Sequence, residues 1–192
     1  MSGTLPRRGS RGSSTPGSST PSSGTPGPTF TKADEDAVRF YTSDAYEPLN
    51  GYLRNPSSVT DPAQRAKYDR QAEEISRGLA HLPADPGTTH RGAANGPWVD
   101  QYQTGQVVPE AAFSSSSKDP MIAQEFAEKN ARKQGTEPVI FEIEGKNGRY
   151  IKEYSIYDYE EEVAFDRGTS YLVTDRYDAP DGSIIYIKMT EQ

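Results

Sequence analysis

The 192-residue chain contains no cysteine and only two histidines, His81 and His90. The absence of cysteine excludes disulfide bridges, cysteine nucleophiles and thiolate zinc sites. Two histidines are too few for a His-rich metal centre, and they argue against a hydrolytic triad built on histidine. Any chemistry that the protein performs is therefore expected from other side chains.

The chain also lacks long apolar runs and basic stripes. No apolar run approaches the ~18 residues of a membrane-spanning helix, and the N-terminus has no apolar stretch of the secretory-signal type, so we expect no membrane association. The formal net charge is −7, and residues 1–29 contain three arginines and no acid, which leaves −10 on the remainder. Because nucleic-acid affinity depends on neutralising phosphates, this acidic body argues against a general nucleic-acid binder.

The composition changes near residue 30. Of the first 29 residues, 24 are Ser, Gly, Thr or Pro, and such a segment cannot bury enough apolar surface to offset the entropy of ordering. We predict a disordered linker over residues 1–30 and one folded domain over residues 31–192. The linker fits a tether before a domain of a larger or delivered assembly, and it fits a merely disordered terminus equally well.

The folded part divides into helices followed by strands. Asp34 can cap a first helix, Pro48 fits the first turn of a second, and Asp61-Pro62 starts a third. From residue 88 onward, short alternating segments bounded by glycines predict strands, interrupted by a helix that begins at Pro120. Helices first and strands later, without regular βαβ alternation, predict an α+β fold with mainly antiparallel pairing.

Two segments that could carry chemistry are Arg91-Gly92 and the serines Ser114–Ser117. A lone arginine is typically a surface charge, but the adjacent glycine permits close approach of the backbone to a ligand. A run of four serines is typical of a solvated loop. The alternative is a strand after Phe113 whose alternate hydroxyls point to one face and hold another side chain by hydrogen bonds.

The third segment is the acidic run Glu160-Glu161-Glu162. Three adjacent carboxylates are usually a solvated face. Here Val163 and Phe165 follow at once, so we expect Glu162 to enter a half-buried strand. Strand periodicity would place Glu160 and Glu162 on one face and Glu161 on the other. Two carboxylates on one face repel, which raises the pKa of one and separates acid from base roles.

In this order, the three segments resemble the motifs of the mono-ADP-ribosyltransferases of the Arg–Ser–Glu type, a family that includes bacterial toxins. Its members carry an early arginine, then aromatic-x-Ser-Thr-Ser, then Glu-x-Glu or Gln-x-Glu. The matching segments are Arg91, Phe113–Ser117, with Ser116 in place of the threonine, and Glu160–Glu162. The resemblance covers roughly residues 33–192. It implies N-terminal helices followed by two packed, mainly antiparallel sheets around an NAD cleft.

The resemblance also implies NAD as co-substrate, without a metal, and roles for individual residues. Glu162 would stabilise the positive charge that develops on the ribose as nicotinamide leaves, and Ser115 would hold Glu162 by a hydrogen bond. Arg91 would bind near the NAD phosphates, with Gly92 near the nicotinamide amide. Further cofactor contacts are expected from Ser116, Ser117, Phe126, Tyr41 and Tyr46, with core packing as the alternative for each aromatic residue.

The resemblance also bears on which group accepts the ADP-ribose. A guanidinium stays protonated near neutral pH, so attack through its nitrogen needs a base, and the family pairs a glutamate at the position of Glu160 with arginine acceptors. The resemblance therefore implies a toxin or effector that modifies an arginine of a target protein, which Tyr157 would contact. An immunity protein would be a further partner. Delivery into the cytoplasm of a target cell would follow a non-classical route, although a resident cytosolic enzyme fits as well.

Three other functions remain open at this point. With water as acceptor, Glu162 would serve an NAD glycohydrolase in which Glu160 matters less. A transferase could also act on an acceptor other than arginine, and an RNA acceptor would require a local basic patch on an acidic body. A silent nucleotide-binding module would have no need of the complete set of arginine, serines and glutamates.

Overall fold

The computed structural model describes residues 30–192, apart from the side chain of Asp158. The predicted linker over residues 1–30 lies outside the described residues except for Phe30. The helices are α1 (Lys32–Tyr41), α2 (Glu47–Arg54), α3 (Pro62–Ala80) and α4 (Pro120–Gln134). The strands are β1 (Gly87–Ala94), β2 (Val107–Pro109), β3 (Ser114–Ser117), β4 (Pro138–Gly145), β5 (Arg149–Tyr150), β6 (Glu162–Phe165), β7 (Ser170–Asp178) and β8 (Ile185–Glu191). Within residues 30–192, no helix is both long and apolar enough to cross a membrane.

The helices begin near the predicted signals, with one correction at α1. Asp61 and Asp119 cap α3 and α4, since each carboxylate accepts a hydrogen bond from the backbone amide two residues later. Asp34, predicted as the cap of α1, is instead the third helical residue, and Thr31 is the cap. The two side chains form a capping box, in which each accepts from the backbone amide of the other.

Asp34 ties the start of α1 to the end of α3. Its side chain is fully buried. It accepts hydrogen bonds from the Thr31 amide and from Arg77 Nε, both at 2.9 Å, and lies 2.9 Å from His81 Nδ1. Burial alone would raise the pKa of Asp34, but the hydrogen bonds from Arg77, His81 and Thr31 outweigh burial and hold the pKa well below its usual range. The carboxylate is therefore ionised in the folded protein at neutral pH.

Asp34→Ala is expected to lower the free energy of unfolding by about 2 kcal/mol at pH 7, because it removes part of a capping box and the acceptor for Arg77. Since the pKa of Asp34 is depressed by folding, its contribution is complete above the unfolded pKa of about 3.9 and declines as the pH falls below it. Urea unfolding at pH 7 and pH 3 measures both effects. Asp36→Ala, which removes an exposed carboxylate from the same helix, should cost less than about 1 kcal/mol. An equal cost of Asp34→Ala at both pH values would contradict this account.

The strands form one hydrogen-bonded sheet in the order β2-β7-β8-β4-β1-β3-β6-β5. It has a five-stranded part, β2-β7-β8-β4-β1, and a three-stranded part, β3-β6-β5, which join where His90 pairs with Ser117. β4 and β8 run parallel, and the other neighbours run antiparallel. The expected fold of helices followed by two packed, mainly antiparallel sheets is confirmed, with the addition that the two sheets share this junction.

β6 is buried on both of its faces. Val163 and Phe165 belong to a core cluster with Phe141 of β4 and Val173 of β7. On the opposite face, Ala164 belongs to a second cluster with residues of α1 and α3. All four residues of β6 are buried. The prediction that Glu162 enters a half-buried strand is therefore wrong. The helical layer covers the face that would otherwise meet solvent.

Candidate active site

One cleft brings all the predicted site residues together. Its volume is about 660 Å³, within the range of about 300–1,000 Å³ that small-molecule and cofactor sites occupy. It is bordered by α1, α2, β1, β3, α4 and the segment that precedes β6. The predicted residues that line it are Tyr41, Tyr46, Arg91, Gly92, Ser115, Ser116, Ser117, Phe126, Tyr157, Glu160 and Glu162.

Glu162 lies at the floor of this cleft in a chain of hydrogen bonds. It is 7% exposed. Ser115 Oγ donates to Glu162 Oε1 at 2.6 Å, which leaves the Tyr41 hydroxyl to donate to Ser115 Oγ at 2.7 Å. Burial raises the pKa of Glu162 and the charge of Glu160 raises it further, whereas the Ser115 hydrogen bond opposes both. The side chain is thus held in one orientation and is more basic than an exposed glutamate.

The four serines form a strand, not the solvated loop that is typical of such a run. Ser115 points toward Glu162, and Ser117 Oγ donates to the backbone carbonyl of Glu160 at 2.5 Å. Ser116 faces the other side of the strand, where its Oγ lies 2.8 Å from Thr89 Oγ1. The alternation follows from the period of two along a strand. Ser116 therefore fastens β3 to β1, while its neighbours serve the two glutamates.

The acidic run reaches the cleft by a turn, not by strand alternation. Glu160 ends a short 3₁₀ turn, and Glu162 begins β6. Glu161 between them adopts a left-handed conformation with φ +47°. Both outer glutamates line the cleft, whereas Glu161 contacts Lys152 and Tyr150. The expected separation of Glu161 from its neighbours is present, but strand periodicity is the wrong reason for it.

Arg91 enters the cleft beside a second arginine. Its Nη1 lies 3.8 Å from Oε2 of Glu110. The buried Glu110 carboxylate also accepts hydrogen bonds from Arg54 Nε and Nη2 at 3.1 and 3.3 Å. Arg54 lines the cleft as well, so two guanidinium groups share one carboxylate there. Glu110 belongs to no motif in the sequence, and it meets Arg54 only through folding.

Gly92 is required by packing between β1 and α4. A Cβ at this position would lie 1.8 Å from the backbone oxygen of Ala123 and 2.6 Å from the backbone nitrogen of Ala127. Both atoms belong to the backbone of α4, which could not shift without moving the helix. Close approach to a ligand, the reason expected from the sequence, is thus not needed to explain the glycine, although Gly92 does line the cleft.

The three aromatic residues differ in their surroundings. Tyr41 is 1% exposed and packs in the helical core. Core packing therefore explains its ring, while its hydroxyl hydrogen-bonds to Ser115. The Tyr46 ring lies 5.1 Å from that of Tyr41, between centroids. Phe126 is 39% exposed, so core packing does not account for it. Its ring offers apolar surface to whatever occupies the cleft.

α4 adds basic residues that motif matching does not reveal. Lys129 and Lys133 line the cleft together with Phe126 and Asn130. Their spacing of three and four residues places them on one face of the helix. In the sequence, their helical spacing after Pro120 is the signal from which they could have been predicted.

Residues 20–191 match the sequence profile of a family described as ADP-ribosyltransferase exoenzyme. The chain belongs to this family. A relative named NAD(+)--arginine ADP-ribosyltransferase Mav, from Mycobacterium avium, is 32% identical over 161 residues, or 83% of this chain. Vis of Vibrio splendidus is 28% identical over 151 residues, or 75% of this chain. The chain spans 18% of the length of Mav and 59% of that of Vis.

Solved ADP-ribosyltransferases share the fold. The crystal structure of Vis with the inhibitor M6 matches with a TM-score of 0.71 and 24% identity, over 85% of this chain and 74% of that one. Exoenzyme S from Pseudomonas aeruginosa, solved with human 14-3-3 protein beta and carba-NAD, matches with a TM-score of 0.68 and 21% identity, over 86% and 76%. The resemblance stated from the sequence is confirmed.

Proposed function

We propose that this ADP-ribosyltransferase domain transfers the ADP-ribose group of NAD to an arginine side chain of a target protein, with release of nicotinamide. The observation that carries the proposal is the chain of hydrogen bonds from Tyr41 through Ser115 to Glu162, in a cleft that also contains Glu160 and Arg91. An arginine suits the diphosphate of the substrate, and fixed carboxylates suit a sugar that becomes positively charged.

The dinucleotide is proposed to lie along the basic side of the cleft. Arg91 and Arg54 present guanidinium groups, whose planar forks match phosphate oxygens, and Lys129 and Lys133 add positive charge from α4. The remaining residues proposed to contact NAD or to support the strand beside it are Gly92, Ser115, Ser116, Ser117, Phe126, Tyr41 and Tyr46.

Glu162 acts on the ribose in this proposal. When the bond between the nicotinamide nitrogen and the ribose carbon breaks, its electron pair leaves with nicotinamide and positive charge develops on the sugar. An ionised carboxylate beside that carbon stabilises this state more than the ground state. Ser115 and Tyr41 hold the carboxylate in advance, so little reorganisation accompanies the reaction. No metal is needed for these steps.

Glu160 acts on the acceptor. The arginine nitrogen forms a bond to the ribose carbon and passes a proton to the carboxylate of Glu160. Burial raises the pKa of Glu160, although a hydrogen bond with Tyr159 opposes it, and the higher pKa makes Glu160 a better base than an exposed carboxylate. Tyr157, which also lines the cleft, is proposed to contact the target protein.

The names of the relatives support arginine as the acceptor and a role as a toxin or effector. Mav and Vis are both named for transfer from NAD to arginine, and the family is named for exoenzymes. Because the chain spans only part of the length of these two relatives, its role as a toxin or effector is part of the proposal. The proposal also includes an immunity partner, delivery into the cytoplasm of another cell and a linker over residues 1–30.

The proposal is tested by incubating the protein with isotopically labelled NAD and agmatine, a small guanidine. We expect mass spectrometry to detect ADP-ribosylated agmatine together with nicotinamide. Release of free ADP-ribose alone would indicate an NAD glycohydrolase, and binding of NAD without cleavage would indicate a silent module. A cell lysate in place of agmatine would then identify the modified protein and residue.

A further inference from the structure

Glu161 lies between the two glutamates of the cleft but makes its contacts elsewhere. Among residues 30–192 it is the non-glycine residue with positive φ, at +47°, a conformation that persists where surrounding contacts hold it. Its carboxylate accepts hydrogen bonds from Lys152 Nζ and from the Tyr150 hydroxyl. These bonds, of which that from Lys152 has the larger effect, lower the pKa of Glu161. The carboxylate is thus an anchor on the outer side of the turn.

Lys118 completes this anchor. Its backbone amide donates to the carbonyl oxygen of Glu161 at 3.1 Å. Its ammonium group lies 4.3 Å from the centroid of the Tyr150 ring and 2.6 Å from Asp85 Oδ2. We call Glu161, Tyr150, Lys152 and Lys118 the Glu161 clamp. It joins the end of β3, the strand β5 and the residue before β6.

The Glu161 clamp closes the segment that carries the acceptor-side residues. Lys152 lies at the start of residues 152–161 and Glu161 at the end, with Tyr157 and Glu160 between them. Two side chains from outside this segment contact its backbone: Ser117 of β3 donates to the Glu160 carbonyl, and Thr42 Oγ1 accepts from the Ile156 amide at 3.2 Å. Without the clamp, the two ends of the segment would lose their side-chain connection.

Glu162 is held mostly by contacts from outside residues 152–161; from within them, Ser155 hydrogen-bonds to its carboxylate. It pairs with Ser117 in the ladder between β3 and β6, its carbonyl accepts from the Ile151 amide at 3.0 Å, and its carboxylate accepts from Ser115 at 2.6 Å. Both faces of β6 are buried. Loss of the Glu161 side chain would therefore leave Glu162 supported by the sheet, whereas the turn at Glu160 would keep only the side-chain hydrogen bond from Ser117 of β3.

We propose that the Glu161 clamp positions Glu160 and Tyr157 for the acceptor and thereby sets how ADP-ribose is divided between arginine and water. This inference rests on the proposed function. In transfer, the guanidine nitrogen bonds to the ribose carbon and its proton passes to Glu160. In hydrolysis, a water oxygen bonds to the same carbon and its proton passes to solvent. The clamp is needed for the first outcome and not for the second.

The test measures agmatine modification and NAD hydrolysis separately in Lys152→Met and Glu161→Gly. Glycine accepts the positive φ without strain but adds backbone freedom, and Lys152→Met leaves the backbone at residue 161 unchanged, so an effect common to both variants comes from loss of the clamp. We expect kcat/KM for transfer to fall by between about tenfold and about a hundredfold, the effect of a small misplacement of a reacting group. NAD hydrolysis without agmatine should stay within about twofold of wild type. Lys152→Arg, which keeps the charge, should retain transfer.

The matched control is Glu153→Gln, which removes an exposed carboxylate of the same segment outside the clamp and should leave both reactions unchanged. Retained NAD hydrolysis shows that each variant is folded. An unchanged ratio of transfer to hydrolysis in Lys152→Met and Glu161→Gly would overturn the inference, whether both rates persist or both fall. Wild-type protein that hydrolyses NAD but never modifies agmatine would instead overturn the proposed function.

Discussion

Replacement of Glu162 by alanine is expected to reduce both ADP-ribosyl transfer and NAD cleavage by a factor of about a thousand or more. Both reactions pass through the same positively charged ribose, and removal of a preorganised group that stabilises such a charge costs about this much. Labelled NAD with and without agmatine measures the two rates. Wild-type turnover in Glu162→Ala would rule out the central role of this carboxylate.

Glu162→Gln separates loss of chemistry from loss of fold. Because burial and the charge of Glu160 raise the pKa of Glu162, its folded pKa lies above the unfolded value of about 4.3. The stability that this group contributes is therefore complete below about pH 4.3 and is lost as the pH rises through the folded pKa. Above that pKa the ionised carboxylate weakens the fold, so Glu162→Gln should be inactive yet unfold at or above the wild-type temperature. A clearly lower unfolding temperature would assign Glu162 a structural role.

Glu160→Gln is expected to lower agmatine modification by about a hundredfold to ten-thousandfold, the usual effect of removing a general base. NAD cleavage should persist, since Glu162 and Ser115 remain in place. The measurement is the ratio of modified agmatine to free ADP-ribose. Equal loss of both products would make Glu160 a structural support instead of a base.

The pH profile of NAD cleavage gives a second measurement on the same variant. Cleavage requires ionised Glu162, so the rate falls as the pH drops through its raised pKa. Removing the charge of Glu160 takes away one cause of that raised pKa, although burial remains. We expect the acidic limb of the profile to move to lower pH in Glu160→Gln and to stay in place in Glu153→Gln. An unmoved limb in Glu160→Gln would contradict the electrostatic coupling of the two glutamates.

Local signals in the sequence account for most of the secondary structure. The prolines at 62 and 120 lie at the first turns of α3 and α4 because their fixed φ and missing amide suit that position. The same kind of reasoning was wrong for Asp34, since Thr31 competes for the cap and only the contacts to Arg77 and His81 show why an aspartate is buried there.

The left-handed turn at Glu161 could not be predicted from the sequence. Glutamate has no preference for this conformation, and the run of three acids indicates only a charged surface or a strand. The turn depends on Lys152 and Tyr150 from one segment and on the Lys118 amide from another. Such contacts exist only after the segments have packed together.

The sequence by itself determined the repertoire of chemistry and its order along the chain. It contains no cysteine, and Arg91, Ser115 and Glu162 follow in the order that is typical of the family. Residue type and local periodicity are properties of short segments, so they can be read before folding. The tertiary structure alone decided that Tyr41 meets Ser115 across 74 residues and that Arg54 meets Glu110 across 56. Contacts of that range depend on how sheets and helices pack, and no local pattern encodes them.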